Sequence, residues 1–110
     1  MTTLITGATG FIGRRLINAV DGEIRVLSRA AHSDLETVIC DLQSSVISDN
    51  TLDSIDTVFH LAGFSSLKDA VNDPVKTIEL NILSTTLILE KCVLTKIKHF
   101  VYASSAYASS

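Results

Sequence analysis

A chain of 110 residues with nine Lys or Arg against twelve Asp or Glu has a net charge of −3, and its basic residues are scattered. It therefore has neither the basic face that nucleic acid requires nor the polybasic run that anionic lipid attracts. Apolar residues make up 46% and charged residues 19%, which excludes a disordered or fibrous chain and suits a single domain with a buried core.

The first element is the short apolar run Thr3-Leu4-Ile5, followed by Thr6-Gly7-Ala8-Thr9-Gly10-Phe11-Ile12-Gly13 and the amphipathic run Arg14 to Val20. This order reads as strand, tight turn and helix. Gly7 would allow the turn, Gly10 would let a pyrophosphate approach the backbone, and Gly13 would let the helix pack close to the strand. The amides and the positive dipole end of such a helix start favour an anion.

Further strands are expected at Glu23–Leu27, Thr37–Cys40, Thr57–Leu61 and His99–Ala103. Between the second and third strands there is room only for a turn or one helical turn. A short capped helix is expected near Ser48 to Ile55. Asp73 and Pro74 open the longest helix, which runs to about Leu94 with Val75, Ile78, Ile82, Thr86, Leu89 and Val93 at helical spacing. Leu80, Leu83, Leu87 and Ile88 widen that apolar face, which suits either extra core depth or a partner subunit in a homodimer. The implied fold class is α/β, a Rossmann-type doubly wound parallel sheet in the order 3-2-1-4-5, with the ligand where the order reverses.

Cys40 and Cys92 have no paired spacing, so both read as buried thiols, with neither a disulfide nor a metal site expected. No signal peptide or membrane span is read at the N-terminus, and a cytoplasmic protein is expected. The second strand ends Leu27-Ser28-Arg29 without the acidic residue that normally binds the adenosine ribose. The Arg29 guanidinium beside the Ser28 hydroxyl suits a 2′-phosphate, favouring NADP over NAD.

The Gly7–Gly13 fingerprint, so close to Met1, resembles that of the extended short-chain dehydrogenase/reductases, the family of NAD-dependent epimerases and dehydratases. The resemblance covers residues 1 to 110. It implies cofactor contacts from Gly7, Thr9, Gly10, Phe11, Ile12, Gly13, Ser28 and Arg29. It also implies adenine contacts from Asp41 and Leu42, and backbone passing close to the cofactor at Leu61, Ala62 and Gly63 in the His60-Leu61-Ala62-Gly63 stretch. His60 itself reads as a core residue with a satisfied hydrogen bond. Asn81 resembles the Asn of the family's Asn-x-x-Gly-Thr, with Ser84 where Gly is common; it would order backbone and water near the active site.

Ser104 and Ser105 resemble the family's strand-end hydroxyls, with Ser105 the first choice for holding the substrate oxygen and Ser104 the second. The family's Tyr-x-x-x-Lys pair does not occur in residues 1 to 110, and Tyr107 has no Lys after it at the right spacing. The chain thus reads as the N-terminal part of a dinucleotide-binding domain, inactive alone and without the substrate domain. The implied parent is an NAD(P)-dependent epimerase, dehydratase or reductase that transfers hydride on a nucleotide-sugar or similar hydroxyl or carbonyl substrate. A non-catalytic dinucleotide-binding or redox-sensing module is the alternative.

Overall fold

The computed structural model describes residues 1–28, 30–32, 34–40, 47, 49–61 and 71–102. Its elements are β1 (Thr2–Thr6), α1 (Phe11–Ala19), β2 (Glu23–Ser28), β3 (Glu36–Ile39), a 3₁₀ turn (Asp49–Leu52), β4 (Thr57–His60), α2 (Pro74–Ile78), a π-helical turn (Glu79–Leu83), α3 (Ser84–Leu94) and β5 (His99–Tyr102). The strands form one sheet in the order β3-β2-β1-β4-β5, every pair parallel, as the sequence implies. The ladders run on for one residue past β3 and β4. The Cys40 amide donates to the Ser28 carbonyl at 2.8 Å, and the Leu61 amide to the Thr6 carbonyl at 3.1 Å.

Strand alternation divides the core between the two faces of the sheet. Leu4, Leu27 and Val58 point to one face, where they pack with Leu52, Ile55, Ile88 and Cys92. Ile5, Val26 and Ala8 belong to the other, against Leu16 and Ile17 of α1 and the side chains of Phe59 and Leu61. Burying one such aliphatic side chain is worth about 1.5–3 kcal/mol, and β1, β2 and β4 contribute Leu4, Ile5, Val26, Leu27 and Val58 to this core. Arg25 of β2 clasps the far connection. It pairs with Glu36, and its Nη1 donates to the carbonyls of Thr51 and Asp53 at 2.9 and 2.8 Å.

The long helical segment departs from expectation in two ways. It is interrupted by the π turn around Asn81, and Val75, Ile82, Leu89 and Val93 of the broad apolar face are exposed while its Ile88 is buried. Ser84, Ile88 and Cys92 face the core instead. The helix is apolar on nearly every side, so periodicity alone selects no unique face; it docks along the line holding its small residues Ser84 and Cys92, where backbone can approach the sheet. Cys92 is buried as expected, and burial raises its thiol to about 11; Cys40 is only half-buried at the end of an outer strand.

Candidate functional site at the carboxyl ends of β1 and β4

The strand order reverses between β1 and β4, with α1 on one face and α3 on the other. This leaves a crevice at the carboxyl ends of the two strands, the place where open α/β sheets bind ligands. The chain leaves β1 at Thr6 and turns at Gly7, whose φ of 74° lies in the left-handed region. The Gly10 amide then donates to the Gly7 carbonyl at 3.1 Å, closing the turn, and α1 begins immediately after Gly10.

Gly13 is a packing requirement. A Cβ there would stand 2.3 Å from the Gly7 carbonyl oxygen and 2.7 Å from the Ala8 Cα, both backbone atoms that cannot move aside. Gly10 differs. Its φ of −75° and ψ of 178° suit any residue, and a Cβ would meet only the Gly7 oxygen at 3.4 Å, so the fold has no strong need of a glycine there. What the missing side chain leaves is open backbone at the start of α1. Among the described residues no side chain caps this helix, and no carboxylate occupies its first turn to compete for the positive end of the dipole. Thr9, Phe11 and Ile12 are exposed around the turn. Arg15, which sequence reasoning missed, reaches back over the Phe11 ring at 3.8 Å from its centroid.

Ser28 lies at the carboxyl end of β2, two strands from β4, and its Oγ accepts from the Ala30 amide at 3.4 Å. Leu61, half-buried, is held by its amide against both the carbonyl and the Oγ1 of Thr6, each at 3.1 Å. Asn81 stands in the π turn, where its carbonyl accepts from the Thr85 hydroxyl at 2.8 Å. Ser84, in the position where the resembled pattern has Gly, is fully buried and accommodated. Arg29, Asp41, Leu42, Ala62, Gly63, Ser104 and Ser105 lie outside the described residues, as does Tyr107.

His60 is fully buried, as its reading as a core residue implies. One ring nitrogen lies 2.7 Å from Thr6 Oγ1 and the other 2.8 Å from Thr85 Oγ1, with the rings of Phe100 and Tyr102 alongside. Desolvation lowers its pKa to about 4, so it is neutral at pH 7. Neither threonine was singled out as a partner from the sequence, because no local spacing links positions 6, 60 and 85. A separate cleft lined by Glu23, Asp34 and Glu36 opens at the amino ends of the strands, and its acidic lining suits no phosphate. Among the described residues there is no cluster of metal-ligating side chains, and no helix is long and apolar enough to cross a membrane.

The model of the NAD dependent epimerase/dehydratase family matches residues 3–109. The chain belongs to that family. A dTDP-D-glucose 4,6-dehydratase of Dictyostelium discoideum is 32% identical, over 93% of this chain and 28% of that protein. The Sterol demethylase protein B of Methylococcus capsulatus is 30% identical, over 96% of this chain and 34% of that protein. The structure of MoeE5 in complex with UDP-glucose and NAD superposes with a TM-score of 0.86 at 28% identity, covering 96% of this chain and 37% of that one. The chain thus spans about a third of the length of the relatives it matches. That third is shared by proteins named for a sugar nucleotide and for a sterol, so it does not select the substrate.

Proposed function

We propose that the carboxyl edge of this sheet binds a nicotinamide dinucleotide and that the chain is the N-terminal cofactor-binding part of a cytoplasmic epimerase, dehydratase or reductase. The observation that carries this reading is Gly10, a glycine the fold does not demand, at an uncapped helix start within hydrogen-bonding reach of the Gly7 turn. The pyrophosphate would lie on Gly7, Thr9, Gly10, Phe11, Ile12 and Gly13, receiving amide hydrogen bonds and dipole stabilisation. Asp41 and Leu42 would take the adenine, and Leu61 to Gly63 would line the path toward the nicotinamide. Membership of an NAD-dependent family and the fold match to an NAD complex support the dinucleotide.

NADP is proposed as the preferred form, because Ser28-Arg29 occupies the sequence positions where a ribose-binding carboxylate is expected, and an Arg there would repel no 2′-phosphate. When bound, the cofactor supplies hydride transfer. Of the chain's own residues, Ser105 would donate a hydrogen bond to a substrate oxygen that gains negative charge, a contact stronger in the transition state than in the ground state. A sugar nucleotide is the proposed substrate class, supported by the dehydratase relative and the UDP-glucose complex. A homodimer through the outward apolar side of α3, with Leu89, Val93 and Leu94 exposed, is proposed on the same footing.

Calorimetric titration of NAD(H) and NADP(H) into residues 1 to 110 tests the reading. Binding of both is expected, with NADP(H) tighter by about tenfold or more, the equivalent of one charge-assisted hydrogen bond, and Arg29→Ala should narrow the difference. Equal affinities would remove the NADP preference; no binding of either would remove the proposal. In a longer parent carrying the Tyr-x-x-x-Lys pair, Ser105→Ala should lower kcat about 100-fold while leaving cofactor affinity within about twofold.

A further inference from the structure

The hydroxyls around His60 determine where its proton sits. Thr85 Oγ1 lies 2.8 Å from the Asn81 carbonyl and 2.8 Å from His60 Nε2. A carbonyl only accepts, so the one hydroxyl proton of Thr85 is committed to Asn81, and its lone pairs face the ring; Nε2 must therefore carry a hydrogen. A neutral imidazole has only one such proton, which leaves Nδ1 an acceptor. The Thr6 hydroxyl, 2.7 Å away, donates to it, and the Thr6 oxygen in turn accepts the Leu61 amide at 3.1 Å.

Every bond in this chain points the same way, from the Leu61 amide through Thr6, His60 and Thr85 to the Asn81 carbonyl. Bonds aligned in this manner polarise one another in a dry interior, and breaking one weakens its neighbours. The chain begins at the Leu61 amide just past β4, passes through Thr6 beside the Gly7 turn, and ends in the π turn of the helical segment. An aliphatic residue at position 60 could fill the same space but would link nothing.

We propose that His60 is a positioning residue: as its Nε2–H tautomer it ties Thr6, beside the glycine turn, to Thr85 and the Asn81 carbonyl, and so fixes the separation of the two sides of the crevice. The effect on cofactor binding rests on the dinucleotide reading above; the coupling across the crevice does not.

The test uses residues 1 to 110 with isotopically labelled histidine, together with Thr85→Val, which keeps the shape but removes the hydroxyl, and Thr85→Ser, which keeps the hydroxyl. Long-range proton–nitrogen spectra of the unmutated chain should show His60 as Nε2–H at neutral pH. Thr85→Val should shift the backbone amide signals of Gly7 and Gly10 as well as those around Asn81, and weaken NAD(H) about tenfold. Thr85→Ser should restore both. An Nδ1–H or charged ring in the unmutated chain would overturn the proposal. So would a Thr85→Val variant that melts at a lower temperature with the Gly7 and Gly10 signals and the affinity unchanged. If the unmutated chain bound no dinucleotide, the reading of the site would fail, while the ring spectrum and the glycine amides would still decide the role of His60. Should Thr85→Val not fold, Thr85→Ala makes the same comparison.

Discussion

The two sides of the crevice are built by different means. At the β1–α1 side, position is set by backbone geometry: a left-handed Gly7, a turn closed by one amide, and a Gly13 that leaves no room for a Cβ. At the β4 side it is set by side chains far apart in sequence, with an imidazole held between Thr6 and Thr85. The first construction cannot be titrated, since it contains no ionisable group. The second can, because its central member is a histidine.

The largest effect separating the two sides should come from acid. Unfolded, His60 titrates near 6.5; folded, near 4. The unfolded state therefore binds more protons between those values, so this contribution to stability is complete above about pH 6.5 and is lost as pH falls toward 4. The difference corresponds to about 3 kcal/mol. Urea titrations across that range should show a slope that His60→Gln flattens, relative to the carboxylate contributions common to both proteins. Parallel curves for the two would mean that the β4 side is no acid-sensitive joint.

Next in size is Gly13→Ala. Alanine gains up to about 1 kcal/mol over glycine as a helix former, but here its methyl would lie within 2.3 Å of a carbonyl oxygen. Overpacking against backbone of this kind costs about 1–3 kcal/mol and occasionally more, so the net result should be destabilisation by about 2 kcal/mol, with no dependence on pH between 4 and 7. A neutral or stabilising Gly13→Ala, read from the denaturant midpoint, would show that α1 can lift away and that the backbone does not fix this side.

The smallest effect on folding should come from Gly10→Ala. With an ordinary backbone conformation and contact only at 3.4 Å, stability should change by less than about 1 kcal/mol. The added methyl would nevertheless stand where the proposed pyrophosphate would meet the helix start, and NAD(H) affinity should then fall by at least about tenfold. Equal loss of stability and affinity would place Gly10 with Gly13 as a packing glycine.

The same contrast decides what could be read from sequence. Constraints on backbone are written in residue type at the place where they act, so Gly7 and Gly13 disclose the turn and its packing, and alternation such as Leu4/Ile5 and Val26/Leu27 discloses a sheet covered on both faces. Strand order followed from the crossover rules. The His60 hydrogen bonds span 54 and 25 residues and leave no local trace, so the sequence supported a satisfied core histidine without naming its partners. The docking face of α3 was left open for a different reason: the helix is apolar almost all round, and of Ser84, Ile88 and Cys92, which face the core, only Ile88 belonged to the apolar face marked in the sequence.

The strand order also has a kinetic consequence. β1 is made first yet lies at the centre of the sheet, and its pairing with β4 joins residues 54 apart, as do the reciprocal bonds between Thr2 and Asp56. Chain closure over such a span costs entropy before any contact repays it, whereas β1 can meet β2 after only 21 residues. During synthesis, the β1–β2 pair with α1 can therefore form while one flank of β1 still lacks its neighbour. The central strand spends that interval as an edge, with backbone donors and acceptors open to any extended segment nearby.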